Sequence, residues 1–331
     1  MNRSYPPFVA VFLLAAGLVA GAQEKSALDK GNGTVPIPNQ KKALSSVVES
    51  TFVYKTAIGN PLNAYVYRLP GDTVQPVLVH FHPGALIMGK ARFEMGGKAM
   101  GYKPELLNSG YTIVSVEYRL APAAKLAEIV EDVRDAWKWL HENGARLFHA
   151  DLARVGVMGT SAGGYLALMT GYCVTPRPKM ILSISGYGDI VGDWYTKPDP
   201  FYCQKPMVRR EQAFRPNAGT EFYHDCRQNG LWPKEVSGHD PATQPRWFDA
   251  WCPRRNVTKD YPPTMLVHAG KDDDVPCERS VLMDKELTAK GVEHQFASRP
   301  DGGHGVLLFA GPPGNKIGEQ IVAFVQKHLK R

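Results

Sequence analysis

Residues 155–168 read VGVMGTSAGGYLAL: an apolar run, a turn of small residues, and a second run rich in Ala and Leu. Within the turn, Ser161 has Gly159 and Gly163 two residues to either side. A hydroxyl on so sharp a turn stands clear of the backbone, as a nucleophile must, and G-x-S-x-G between a strand and a helix is the pattern of a nucleophile elbow. Glycine is needed at 159 and 163 because side chains there would collide across a strained turn. A helix beginning at Ala162 points its first N–H groups, and the positive end of its dipole, at the reacting centre. The same five residues also fit a plain turn that happens to carry a hydroxyl, so the rest of the chain has to decide.

A serine is a weak nucleophile until a base takes its proton. Of ten histidines, His304 stands in Asp301-Gly302-Gly303-His304-Gly305, after the last expected strand, where glycines on both sides let an imidazole reach out of the sheet end. An acid that orients the imidazole belongs between serine and histidine in this chain order. Residues 264–269 form an expected strand, followed by Gly270-Lys271-Asp272-Asp273-Asp274-Val275-Pro276. Asp272 comes first after the strand, where a side chain is held most rigidly, and is the preferred acid. Asp273 and Asp274 stay open as alternatives, or cap the next helix, or remain solvated. Upstream, His82-Pro83-Gly84-Ala85 follows an expected strand over 77–81 and takes the place of an oxyanion-binding loop. Pro83 has no N–H to give. Gly84 and Ala85 do, and with the Ala162 N–H they supply two or three donors to a developing oxyanion. His80 and His82 share a strand face by spacing and invite a metal reading. With no third ligand nearby in sequence, that reading yields to the oxyanion loop, and no metal is expected.

The surrounding pattern supplies strand ends for these groups. Strands are expected over 51–55, 62–68, 77–81, 111–118, 154–158, 180–185, 264–269 and 294–299. The first two mix polar and apolar residues as a half-exposed antiparallel hairpin does, while 77–81 and 113–116 are more continuously apolar, as central parallel strands are. Leu126, Ile129, Val130, Val133, Trp137 and Leu140 recur at helical steps, and Asn143-Gly144 offers a stop. Further helices are expected over 162–170, 277–289 and 317–329. Strands alternating with helices predict an α/β fold with a mostly parallel sheet flanked by helices. Ser161, Asp272 and His304 then each follow a strand, at the carboxyl end of the sheet where open α/β sheets carry sites.

Residues 187–262 break the alternation. They are rich in Pro, charge and aromatics, and hold Trp194, Trp232, Trp247 and Trp251, four of the chain's six tryptophans. A stretch this long needs its own structure or a function, and is expected as an insertion over the carboxyl end of the sheet. Three of the five cysteines, Cys203, Cys226 and Cys252, lie in it. A disulfide between two of them is expected to stiffen it, whereas Cys173 reads as a small core residue.

The N-terminal residues read as an export signal: Arg3, an apolar run over 8–20, and Ala20-Gly21-Ala22 as a cleavage site before Gln23. The run is shorter than the ~20 residues of a spanning helix, so no stable membrane insertion is expected after cleavage, and a periplasmic or secreted location is. Residues 1–22 are thus the signal, 23–48 a flexible leader and 49–331 one domain. Net charge is +7, with no long basic run. That is a mildly basic surface rather than the concentrated basic face of a nucleic-acid binder.

Five segments, FHPGALIMG (81–89), VEYRLAP (116–122), GTSAGG (159–164), GKDDDVP (270–276) and GGHG (302–305), resemble the α/β-hydrolase superfamily, and within it the hormone-sensitive-lipase-like esterases. Two positions depart from that pattern: Thr160 stands where the family often has Asp, and His-Pro-Gly-Ala replaces His-Gly-Gly-Gly. The resemblance implies a serine carboxylic-ester hydrolase without metal or organic cofactor. Ser161 would be the nucleophile, His304 the base and Asp272 the acid, with Gly84, Ala85 and Ala162 at the oxyanion. It also implies that the insertion helps to form the substrate pocket, with Trp194, Trp247 and Trp251 as candidate lining residues. The expected substrate is a small-molecule or polymer-borne ester. A polysaccharide deacetylase or feruloyl-type esterase is a variant of that reading. A prolyl-oligopeptidase-like peptidase is an enzymatic rival, and a binding protein on a disabled hydrolase scaffold is a rival of another class.

Overall fold

The computed structural model describes residues 46–57, 59–93, 102–304 and 316–329. The expected signal, nearly all of the leader, and Gly305 lie outside them. Among the described residues eight strands form one sheet: β1 (Val48–Ala57), β2 (Asn60–Arg68), β3 (Gln75–Phe81), β4 (Thr112–Val116), β5 (Ala150–Thr160), β6 (Ile181–Ile184), β7 (Thr264–Ala269) and β8 (His294–Arg299). Their order across the sheet is β1-β2-β4-β3-β5-β6-β7-β8. The hairpin β1–β2 and the pair β2–β4 are antiparallel, and every other pairing is parallel.

Alternation along the central strands explains the layering. Val77, Val79 and Phe81 of β3 enter one core, with Val114 and Val116 of β4 and Val157 of β5. Leu78, Ile113 and Met158, one residue out of phase, enter the other. Successive side chains of a strand point to opposite faces, so a strand that is apolar at every position needs cover on both. On the first face the cover is α2 (Leu126–Phe148) and α3 (Ala162–Cys173). On the second it is α1 (Lys103–Asn108) and α10 (Lys316–His328), which place Leu106, Leu107, Phe324 and Val325 against Leu78 and Met158. α2 runs past the expected stop at Asn143-Gly144 and ends where His149 turns left-handed at φ 54°. Phe148 is buried there beside Phe52 and Trp139, and this packing outweighs the local helix-breaking signal.

The segment after β6 folds as five short helices: α4 (Asp193–Thr196), α5 (Pro200–Cys203), α6 (Arg210–Ala213), α7 (Gly219–Asn229) and α8 (Trp232–Ser237). Two 3₁₀ turns follow, Pro245–Trp251 and Pro253–Asn256. α9 (Glu278–Ala289) then joins β7 to β8. Among the described residues no helix is long and apolar enough to cross a membrane.

The expected disulfide is absent, since all five cysteines are free thiols. Cys203 Sγ lies 3.8 Å from the carbonyl of Gln228, and Cys252 Sγ lies 3.7 Å from Asp189 Oδ1. Cys226 is buried in α7, and Cys173 is half-buried at the end of α3. Stiffness comes instead from packed rings and a buried cation. Trp232 is fully buried, stacks on Tyr195 with ring centroids 4.3 Å apart, and meets Tyr187 edge-on at 6.4 Å. Its indole N–H donates to the carbonyl of Ala85 at 3.0 Å, tying the insertion to the loop after β3.

A buried tryptophan in such a setting contributes both area and a hydrogen bond. Trp232→Ala is expected to lower stability by about 3–5 kcal/mol, and Trp232→Phe by a smaller amount. Urea unfolding with an unchanged m-value measures both. A Trp232→Ala protein within ~1 kcal/mol of the parent would show that the ring does not hold the insertion.

Candidate active site

β5 ends at Thr160 and α3 begins at Ala162, so Ser161 occupies the single residue between strand and helix. Its backbone lies at φ 55°, ψ −122°, a strained conformation for a residue with a side chain. The Ser161 N–H donates to the Ile184 carbonyl at 2.8 Å, and its own carbonyl accepts from Tyr165 at 3.0 Å, which fixes the turn from both sides. The crowding expected at 159 and 163 is present. A β-carbon on Gly159 would stand 2.1 Å from the Gly163 carbonyl oxygen, and one on Gly163 would stand 2.1 Å from that of Phe81. α3 therefore starts pressed against the end of β3, and its first N–H groups have no carbonyl within the helix to bond.

The loop after β3 is equally constrained. Gly84, Ala85 and Leu86 are consecutive residues with positive φ, at 125°, 57° and 62°. The Gly84 carbonyl accepts from Ile87 and Met88, both at 2.9 Å, and a β-carbon on Gly84 would lie 2.0 Å from the Met88 oxygen. Alanine at 85 is held in a left-handed conformation by the bond from Trp232 and, one residue on, by Ala121 N–H donating to Leu86 at 2.8 Å. Gly84, Ala85 and Ser161 line one cavity of about 400 Å³, together with Pro83, Met88, Gly89, Thr160, Tyr202, Thr220, Tyr223, Asp274 and His304.

His80 and His82 do not form a shared site. His80 sits 2.8 Å from Ser115 Oγ and edge-on to Phe93. His82, past the strand end, stacks on Tyr118 at 4.1 Å and lies 2.8 Å from the Pro83 carbonyl. Burial holds His82 down to about 4 against the opposing pull of that carbonyl, so the ring is neutral at physiological pH. Among the described residues no cluster of three or more His, Cys, Asp or Glu side chains is arranged to hold a metal ion.

Asp272 leaves the end of β7 and turns back under the loop. Its Oδ1 accepts from the N–H groups of Val275 at 2.8 Å and Asp274 at 3.1 Å. His304 Nδ1 lies 2.8 Å from Oδ2 and 3.0 Å from Oδ1. A second, fully buried imidazole, His268 on β7, brings Nε2 to 3.2 Å from Oδ2 and 2.9 Å from the Val275 carbonyl. Both neighbours of that nitrogen only accept, so it carries a proton, and Nδ1 lies 2.7 Å from Ser280 Oγ. Burial alone would raise the Asp272 carboxyl, but the bonds from His268, His304 and Val275 hold it well below the usual carboxylate range. For His304, burial pulls the imidazole down. The Asp272 hydrogen bond and the charges of Asp274, Asp272 and Asp273 more than offset this, and the net direction is up from 6.5. A proton held on Nδ1 by Asp272 makes Nε2, which Asp274 Oδ2 approaches to 3.5 Å, the basic nitrogen of the neutral ring.

Of the three adjacent aspartates, Asp272 is thus the one at Nδ1 of His304. Asp273 is exposed. Asp274 approaches the other ring nitrogen, with Oδ2 at 3.5 Å from Nε2. Its Oδ1 accepts from Tyr223 Oη at 2.6 Å, Arg227 Nη1 at 2.8 Å and Tyr202 Oη at 2.9 Å. His268, Arg227 and these two tyrosines escaped the sequence reading. The one available signal was the i, i+4 spacing of Tyr223 and Arg227 in a helix-compatible stretch. The three tryptophans named for the pocket do not line it. Trp194 stacks on Tyr195 at 3.5 Å, and Trp247 stacks on His239 at 3.9 Å and packs against Trp251 at 5.2 Å. They build the body of the insertion, while Tyr202 and Tyr223, which need a polar partner as well as apolar contact, reach the cavity.

The family whose sequence profile matches residues 78–308 is described as alpha/beta hydrolase fold. The esterase LipI of Mycobacterium tuberculosis is 34% identical over 110 residues, 32% of this chain and 33% of that protein. Esterase LipC of the same organism is 24% identical over 269 residues, 77% of this chain and 59% of that protein. The chain therefore spans a third of the length of one relative and under two thirds of the other. A Pyrobaculum calidifontis esterase superimposes with a TM-score of 0.62 at 23% identity, covering 87% of this chain and 88% of that one, a likeness of fold.

The charges around His304 set its titration. An NMR titration of its imidazole is expected to give a midpoint above 6.5, and Asp272→Asn is expected to move it down, because the imidazolium loses the partner that favours it. A midpoint at or below 6.5 in the parent, or one that Asp272→Asn leaves in place, would contradict the pairing.

Proposed function

This chain belongs to the α/β-hydrolase fold family, and on that premise we propose that it is a serine hydrolase cleaving carboxylic esters through an acyl-enzyme. The observation that carries the proposal is the Asp272–His304 pair, at 2.8 Å, opening onto the cavity that Ser161 lines. His304 Nε2 takes the proton as Ser161 Oγ attacks the ester carbonyl carbon. Asp272 fixes the tautomer and stabilises the imidazolium that forms. The oxyanion of the tetrahedral intermediate is met by N–H groups of Gly84, Ala85 and Ala162, donors of a kind worth roughly 3–4 kcal/mol each when removed singly. Collapse expels the alcohol with the proton from Nε2, and water repeats the sequence on the acyl group. The cavity volume of about 400 Å³ and its largely apolar lining suit a small ester group.

Two probes test this together. The parent is expected to hydrolyse a short neutral p-nitrophenyl ester and to be labelled by a fluorophosphonate. Ser161→Ala should lose labelling and at least ~10⁴-fold in kcat. A parent that does neither, or a Ser161→Ala protein that still does both, overturns the proposal.

We also propose export, resting on Arg3, the apolar residues 8–20 and the Ala20-Gly21-Ala22 site. N-terminal sequencing of protein from a Gram-negative host should find Gln23 first, in the periplasm or medium. Intact protein confined to the cytoplasm would refute it.

A further inference from the structure

Asp274 has no part in the hydrolysis scheme, yet it shares the cavity with Ser161 and His304. Its two oxygens face different surroundings. Oδ1 is saturated by Tyr223, Tyr202 and Arg227. Oδ2 is turned to His304 Nε2 at 3.5 Å, on a side chain that keeps 18% of its surface exposed. Among the described residues lining the cavity Asp274 is the only carboxylate, and none is Lys or Arg.

The guanidinium paired with Asp274 is not among the described lining residues. Arg227 is fully buried behind Asp274, ion-paired to Asp199 as well, and surrounded by the rings of Trp194, Tyr195, Tyr202 and Tyr223 at 4.8–5.6 Å. Lys205 lies 4.6 Å from the Tyr202 ring centroid and is not a lining residue. Along this wall the carboxylates of Asp274 and Asp199 share the one guanidinium of Arg227, and Asp272 lies on the other side of the His304 ring. Pro83, Ala85 and Met88 give the cavity apolar walls beside Thr160, Thr220 and the two tyrosines, so a charge at Asp274 Oδ2 is only partly screened.

Chemistry locates the affected part of the substrate. In serine-ester hydrolysis Nε2 delivers its proton to the departing alcohol oxygen, so a carboxylate 3.5 Å from Nε2 stands beside the alcohol rather than the acyl chain. Resting on the ester-hydrolase reading above, we infer that Asp274 is the specificity-determining residue of an alcohol subsite: it favours esters of cationic alcohols over neutral isosteres and rejects those of anionic alcohols. A quaternary or primary ammonium a few ångströms from the ester oxygen is attracted by Oδ2, whereas a sulfonate or carboxylate there is repelled.

The experiment uses three acetates with alcohols of similar shape: 2-(trimethylammonio)ethyl, 3,3-dimethylbutyl and 2-sulfoethyl acetate. All pass through the same acetyl-enzyme, so differences in kcat/KM arise in acylation once each is divided by its rate of alkaline hydrolysis. The full-length parent is expected to prefer the cationic ester over the anionic one by about tenfold or more, with the neutral ester between. Asp274→Asn is expected to bring all three within about threefold. Should that protein fail to fold, as judged by circular dichroism, the parent's own salt dependence reads the same attraction: raising the ionic strength from about 0.01 to about 1 M is expected to narrow the gap between cationic and anionic esters to about threefold, and an unchanged gap overturns the inference. Equal or reversed rates in the parent, or an unchanged order in a folded variant, overturn the inference. If the neutral ester is cleaved and Ser161 is labelled but no charge order is found, this inference fails alone. If no ester is cleaved and no label is taken up, it is the hydrolase proposal that fails.

Discussion

The carbonyl oxygen of Phe81 stands 2.1 Å from where a β-carbon on residue 163 would be, and that of Gly163 stands 2.1 Å from where one on residue 159 would be. These two approaches place the start of α3 directly against the end of β3. The N–H groups after Ser161 and the loop at Gly84–Ala85 therefore belong to one small volume, although some 75 residues of chain separate them. The strained backbone of Ser161 follows from the same contacts, since a relaxed turn would lift the helix from the strand. Strain of this kind, on the order of 1–3 kcal/mol, persists only where surrounding packing over-determines it. Here the surroundings are a helix buried from Ala162 to Gly171 and a central strand buried at every position.

Sheet topology brings these parts to the same place. The chain leaves β3 for β4 on one side, then crosses back to β5 on the other, so the strand order reverses between β3 and β5. α1 covers one face and α2 the other. The connections diverge at the carboxyl ends of β3 and β5 and leave a crevice between them, the general position of sites in open α/β sheets. β7 lies two strands from β5, close enough for the loop carrying Asp272 to reach the same crevice. His304 then arrives from the end of β8, and its Nδ1 is held by a carboxylate that is itself held by His268 and two backbone N–H groups.

What was legible in the sequence was chemistry that acts over a few residues. Glycines flanking a serine, a His-Pro-Gly-Ala turn after an apolar strand and an acidic turn before Val275-Pro276 each carry their own steric or hydrogen-bonding reason, and each stands at a strand end. The hairpin and the parallel order were likewise written in apolar periodicity. Contacts between distant segments were not legible. Nothing local distinguishes Trp194, which stacks inside the insertion, from Tyr202, which lines the cavity; that depends on how five short helices pack. Three cysteines within fifty residues invited a cross-link, but their spacing carries no information on which way each side chain points, and each ended beside a different neighbour. The extension of α2 past Gly144 has the same origin, because a ring cluster around Phe148 overrides a weak local stop.

Arg227 shows why the insertion does more than cover the crevice. Burying a guanidinium is costly, and apolar replacements of buried ion pairs are often no less stable. A purely apolar packing would, however, leave the loop from Asp272 to Val275 in contact only with surfaces that have no directional preference. Arg227 instead donates to the backbone carbonyl and side chain of Asp274 and pairs with Asp199. Asp199 in turn caps α5 by accepting from Phe201 and Tyr202. One cation thus links α5, α7 and the loop after β7. Because hydrogen bonds to a planar guanidinium are directional, the link sets the orientation of Asp274 as well as its distance. Val275, the residue after Asp274, donates its N–H to Asp272. A shift of the insertion therefore passes through two adjacent residues to the carboxylate at Nδ1 of His304. The helices over the crevice and the acid beneath it are mechanically one unit, and the shape of the cavity and the alignment of the imidazole cannot vary independently.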